Sequence, residues 1–252
     1  MKIVALIRTL NEAHRIDECC QSYSEFADAV LIADGGSTDN TVELAMKYPK
    51  VQVREFTKKV ECEGGIWRNP DGEHLNFLYQ WGEDEGADWI VSQDCDQRPN
   101  FYLKRDIREI MSKTTRDFIM VTQIFLWKKT KYFPAMSNAE KVYYGNYPEL
   151  KGKYSHGIWA WRANLGVRAI DKMPHYEFTI DGGETSILPE KLEMDETLDC
   201  PPYCFLHNGW ETDEMVDKMI NYYQRSMLIP VQAHPLDFCG KPEPIIKEWM
   251  FE

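Results

Sequence analysis

Short apolar runs alternate with amphipathic stretches from the first residues of the chain. Ile3-Val4-Ala5-Leu6-Ile7 is continuously apolar, as a strand covered on both faces requires, and Ile16, Cys20 and Tyr23 follow at helical spacing. A second run over 29–33 leads into Ser37-Thr38-Asp39, which reads as a helix N-cap ahead of Val42, Leu44, Ala45 and Met46. Residues 51–54 alternate as a third strand, and strands separated by helices of this length predict a parallel sheet. Gly64, Gly65, Pro70 and Gly72 mark a loop over 57–73. A helix is expected from 73 to about 83, a strand over 88–93, an amphipathic helix over 103–113 and an apolar strand over 117–127. Beyond residue 130 the pattern loosens. Residues 130–156 read as loop, 158–162 and 167–170 as strands, and 211–228 as a last helix. The tail over 230–252 is expected to wrap the body.

The predicted fold is therefore α/β, a mostly parallel central sheet flanked by helices, with residues 1–128 forming the regular part and 129–252 an elaborated second part of one domain. With 43% hydrophobic and 13% aromatic residues, the 252-residue chain can fill a sizeable core. Its net charge of −12 argues against grip on nucleic acid through phosphate neutralisation, although a local basic patch over 128–131 is present. The seven cysteines follow neither a disulfide nor a zinc spacing and fit reduced, buried thiols. The N-terminus runs directly into a strand and no apolar run approaches the span of a bilayer, which predicts a soluble, cytoplasmic protein without a membrane span. Nothing in the pattern sets the oligomeric state.

Carboxylates cluster where the predicted strands end. The run over 29–33 is followed by Asp34-Gly35-Gly36-Ser37, and the run over 89–91 by Asp94-Cys95-Asp96. In open α/β sheets the carboxyl edge is where ligands bind. Two carboxylates one residue apart at that edge suit a hard divalent cation, Mg²⁺ or Mn²⁺, that also holds a diphosphate.

Three motifs in order, residues 7–13 (Ile-Arg-Thr-Leu-Asn-Glu-Ala), 27–41 and 88–96, resemble the family 2 glycosyltransferases, and most nearly the branch of bacterial lipopolysaccharide-core glucosyltransferase-like proteins. Asn76 and the segment Leu206-His207-Asn208-Gly209-Trp210 extend the likeness to about half of the chain. The resemblance implies a GT-A-type fold in which residues 1–128 bind a nucleotide sugar and 129–252 build the acceptor side. It implies transfer of a sugar, from a UDP-sugar before other donors, to a hydroxyl of a glycan or another acceptor. Carried over position by position, it implies that Thr9, Asn11 and Glu12 wall the nucleotide pocket and that Asp34 binds base or ribose. Asp94 and Asp96 would then position the metal on the diphosphate, with His207 reaching back to it.

Inverting displacement also needs a carboxylate to deprotonate the acceptor hydroxyl. The chain departs from the family's commoner Glu-Asp motif, leaving Glu177, then Glu184 and Asp181, as candidates. Trp127, Tyr143, Tyr144, Trp159 and Trp161 fall in the acceptor-side part, where core packing is the favoured reading over sugar stacking. Two other readings share the sheet. A nucleotidyltransferase would need a glycine-rich phosphate loop after the first strand, and Arg8-Thr9-Leu10-Asn11 has no glycine. A catalytically inactive nucleotide- or glycan-binding protein is the non-enzymatic alternative, against which retention of Asp34, Asp94 and Asp96 argues.

Overall fold

The computed structural model describes residues 1–62, 66–128, 131–132, 156–172, 175–180, 196–198, 203–217 and 243–244. Its first half runs β1 (Ile3–Thr9), α1 (Ile16–Ser24), β2 (Ala29–Asp34), α2 (Thr41–Ala45) and β3 (Val51–Glu55). Next come the hairpin β4 (Val60–Cys62) and β5 (Ile66–Arg68), α3 (Asp71–Asp84), β6 (Trp89–Asp94), β7 (Gln97–Pro99) and α4 (Phe101–Lys113). The second half contributes β8 (Phe118–Trp127), β9 (Lys131–Tyr132), β10 (His156–Arg162), β11 (Arg168–Lys172) and β12 (His175–Thr179). It ends with β13 (Glu196–Leu198), β14 (Phe205–Trp210) and β15 (Glu243–Pro244).

The α/β class is as expected. Strands β3, β2, β1 and β6 lie side by side and all parallel. β10 joins antiparallel to both β6 and β8, while β13 and β14 run parallel to β8. The continuous apolar run of β1 follows from its central place, because both of its faces are covered. Ile3, Ala5 and Ile7 enter one core layer with Tyr23, Trp89 and Trp159; Val4 and Leu6 enter the other with Leu75, Leu78 and Trp161.

Trp159 and Trp161 are core residues, 0% and 1% exposed. Trp161 packs edge-on against Tyr79 at 5.0 Å and tilted against Phe178 at 6.1 Å. Asn76, on α3, is also structural. Its amide bonds both backbone groups of Ala169, at 2.7 and 2.8 Å, and so fastens the β11–β12 hairpin to the helix. The loop expected over 57–73 contains the short hairpin β4–β5, and helix over 213–217 lies inside the span expected to end helically. Among the described residues, no helix is long and apolar enough to cross a membrane.

Candidate active site

Parallel register brings the strand-end carboxylates together. Arg8 pairs with Asp94 across β1 and β6, and Thr9 with Asp34 across β1 and β2. Residues in register across a sheet share a face, so the last residues of β1 and β6 project to the same side beyond the carboxyl edge. There they open into a cavity of about 330 Å³ lined by Arg8, Thr9, Glu12, Asp71, Asp94 and Asp96, among others. That size is at the lower end of small-molecule sites.

Asp96 lies just past the end of β6. Backbone pairing of β7 with β14 sets His207 opposite Gln97, and the Asn208 amide donates to the Asp96 carbonyl at 2.8 Å. The His207 ring thereby comes within 3.5 Å of Asp96 Oδ2. Gly209 makes room for that ring, because a Cβ there would stand 2.6 Å from His207 Cε1. Arg15, 7% exposed, lies 3.8 Å from the same Oδ2 and ion-pairs Glu12 at 3.0 Å. Asp96 Oδ1 is buried without a hydrogen-bond partner. A carboxylate oxygen orphaned in this way is costly unless something positive meets it.

Asp94 is differently placed. Both of its oxygens accept from Arg8, at 2.7 Å from Nε and 2.9 Å from Nη2, while Arg8 Nη1 donates to Asp71 at 3.0 Å. Among the described residues no three His, Cys, Asp or Glu side chains form a ready metal cage. The residues nevertheless fit a divalent ion that a diphosphate would complete. Mg²⁺ commonly takes only one or two carboxylates plus substrate phosphates, and Asp96 offers an unengaged oxygen beside His207. Glu12 is pushed up to about 7 by burial, partly offset by Arg15, with Asp96 and Asp94 adding to the rise.

Asp34 and Asn11 organise the loops around the cavity. Asp34 is 3% exposed and accepts from Thr9 Oγ1 (3.1 Å), Ser37 Oγ (2.5 Å) and the amides of Gly36 (3.0 Å) and Ser37 (2.7 Å). It holds a tight turn in which Gly36 has φ +90°, a region that glycine enters without strain. Asn11 accepts from the Thr38 amide at 2.8 Å, and the Asn11 amide donates to Ser37 at 2.8 Å. The loop after β1 is thus stapled to the loop after β2.

Of the expected bases, Glu177 lies on β12 opposite Ile170, next in register to Asp171. The Asp171 carboxylate accepts from the Gly72 amide at 2.8 Å, at the start of α3 beside Asp71. The Glu177 backbone therefore stands on the hairpin that flanks the cavity's α3 side. Asp181, Glu184, Tyr143 and Tyr144 lie outside the described residues.

Sequence reasoning missed Arg8, Arg15, Asp71 and His74. A signal existed for Arg8, since a charge ending an otherwise apolar central strand must find a partner. His74, 5% exposed, stacks on Phe56 at 4.5 Å, and its Nε2 donates to the Ala33 carbonyl at 3.0 Å, which sets the tautomer. Burial, and then the positive charge of Arg8, lower it from 6.5 to about 4. The unfolded chain takes up this proton first, so the contribution of His74 is complete above pH 6.5 and lost as pH falls towards 4. Its loss amounts to about 3 kcal/mol at 1.36 kcal/mol per pKa unit. His74→Gln is expected to flatten this part of the stability profile. Urea midpoints at pH 7 and pH 4.5 check it, and parallel slopes for the two proteins would contradict it.

No protein-family model matches the chain. An uncharacterised protein of Mycobacterium tuberculosis is 25% identical over 221 residues, covering 84% of this chain and 47% of its own length. A protein of Rickettsia bellii described as an uncharacterised glycosyltransferase is 30% identical over 129 residues, covering 50% of this chain and 38% of its own. The chain thus spans about half or less of the length of these relatives. Among solved structures, glucosyl-3-phosphoglycerate synthase from M. tuberculosis, in complex with Mn²⁺, UDP and glucosyl-3-phosphoglycerate, is 18% identical. The match covers 66% of this chain and 58% of that one, with a TM-score of 0.45. Over about half of its length, this chain is similar in sequence to bacterial glycosyltransferases.

Proposed function

We propose that the chain is a metal-dependent glycosyltransferase, moving a sugar from a nucleotide donor, a UDP-sugar first, to a hydroxyl of a glycan or other acceptor with inversion. One observation carries the reading: Asp96, a residue that lines the cavity at the carboxyl edge of the parallel strands, has one buried oxygen without a hydrogen-bond partner and its other oxygen 3.5 Å from His207. Asp96, with His207, would hold the ion. A divalent cation bound there acts as a Lewis acid on the leaving diphosphate, worth several kcal/mol of charge stabilisation. The protein's own part is to fix the geometry. Thr9 and Glu12 wall the cavity, and the stapled loops held by Asn11 and Asp34 keep that wall in place. Glu177 would take the acceptor proton, from the hairpin fastened to α3.

A thermal-shift series with UDP, GDP, ADP and their sugars, each with Mn²⁺ or with EDTA, tests the reading. At a hundredfold excess over Kd, a ligand specific for the folded state adds about 2.7 kcal/mol. For a chain of this size that is a rise of roughly 5–10 °C. The expected result is such a shift with one nucleotide and only with metal. Absence of any shift across the series would remove the donor site and the reading with it.

A further inference from the structure

The cavity is lined by four carboxylates, Glu12, Asp71, Asp94 and Asp96, and among its described lining residues the basic side chains are Arg8 and His74. His74 is neutral at physiological pH, since its pKa is lowered to about 4. A diphosphate entering a pocket walled by Asp71, Asp94 and Asp96 meets like charge, and one divalent ion supplies only part of the compensation. Arg8 is the guanidinium that strand register sets in this lining. Parallel register sets it opposite Asp94, whose carboxylate grips it at two points, and Asp71 grips it at a third, 3.0 Å from Nη1. Only 14% of its side chain is exposed. A guanidinium held in this way has already given up its rotamer freedom, so that little is lost when it also meets an anion.

The same clamp separates the two carboxylates of the acidic motif. Asp94 is engaged at both oxygens, whereas Asp96 Oδ1 has no hydrogen-bond partner. We propose that Arg8 is a second cation of the donor site, contacting the diphosphate of the nucleotide. Asp94 and Asp71 are its positioning residues, and Asp96 is the carboxylate left to the divalent ion. The proposal rests on the nucleotide-sugar reading and deepens it.

Calorimetric titration of the whole chain with UDP and with uridine, each in the presence of Mn²⁺, provides the test. Arg8→Gln is expected to weaken UDP on the order of ten- to a hundredfold, the worth of a charge-assisted hydrogen bond, while uridine affinity stays unchanged. Mn²⁺ titrated alone should bind Arg8→Gln at least as tightly as the parent, since Asp94 is released. Should Arg8→Gln fail to fold, Arg8→Lys carries the test. It keeps the charge but cannot grip Asp94 at two points, so UDP should weaken several-fold and uridine not at all. Equal UDP affinity in the variant and the parent overturns the role of Arg8 and leaves the enzyme reading standing. An equal loss for UDP and uridine means that Arg8 only shapes the pocket, and overturns it too. If the parent chain binds none of UDP, GDP and ADP with Mn²⁺, both readings fall.

Discussion

Asp96→Asn is expected to lower metal-dependent sugar transfer by about a thousandfold or more, with the fold retained. The magnitude follows from the several kcal/mol that a divalent ion contributes on a leaving diphosphate, at about 1.4 kcal/mol per factor of ten. Retention of the fold follows from how Asp96 is held. Its carbonyl still accepts from the Asn208 amide at 2.8 Å, and β7 still pairs with β14. What is lost is a 3.8 Å approach to Arg15, a 3.5 Å approach to His207 and an oxygen that had no partner. The melting temperature should therefore stay within a few degrees, about 1 kcal/mol for a chain of this size. Initial rates with a nucleotide sugar, alongside a melting curve, check both halves. A variant that folds and still transfers sugar at the parent rate in Mn²⁺ would remove Asp96 from the metal site.

Trp161→Ala is expected to have the largest effect on stability, about 3–5 kcal/mol, as for other large aromatic truncations in cores. Trp161 is 1% exposed, sits on β10 between β6 and β8, and touches Tyr79 and Phe178. It is therefore where the parallel half, α3 and the β11–β12 hairpin meet. Removing the indole leaves a cavity that these elements cannot all close at once, since β10 is fixed by backbone pairing on both sides. Urea unfolding would show the loss as a lowered midpoint with an unchanged slope. A cost below about 1 kcal/mol would mean that Trp161 is not the common packing point. An aromatic placed to stack on a sugar would show the opposite pattern, near-normal stability with weakened acceptor binding.

The strands that lead to the site were legible because their signal is local. β1 and β2 open with five continuously apolar residues, covered on both faces, and β6 opens with the buried run Trp89-Ile90-Val91; the strands end at Thr9, Asp34 and Asp94. The helices α3 and α4 were legible from spacing alone, to within about two residues. The β7–β14 pairing was not. Gln97–Pro99 is three residues long with no apolar pattern, and it becomes a strand only because Phe205–His207 lies against it. His207 could accordingly be suggested by resemblance, but its closeness to Asp96 depends on a contact between residues more than a hundred positions apart.

What the sequence by itself determined is the α/β order of elements and the delivery of carboxylates to one sheet edge, because periodicity and strand length are local properties. Tertiary structure decided how those carboxylates divide the work. Register set Arg8 against Asp94, and the β7–β14 pairing brought His207 to Asp96. Asp34, for which resemblance suggests a ligand contact, is surrounded by four donors of its own turn and of Thr9. A carboxylate carries the same charge wherever it stands in a chain; the donors and cations that fold around it decide whether it holds a turn, grips an arginine or keeps an oxygen without a hydrogen-bond partner.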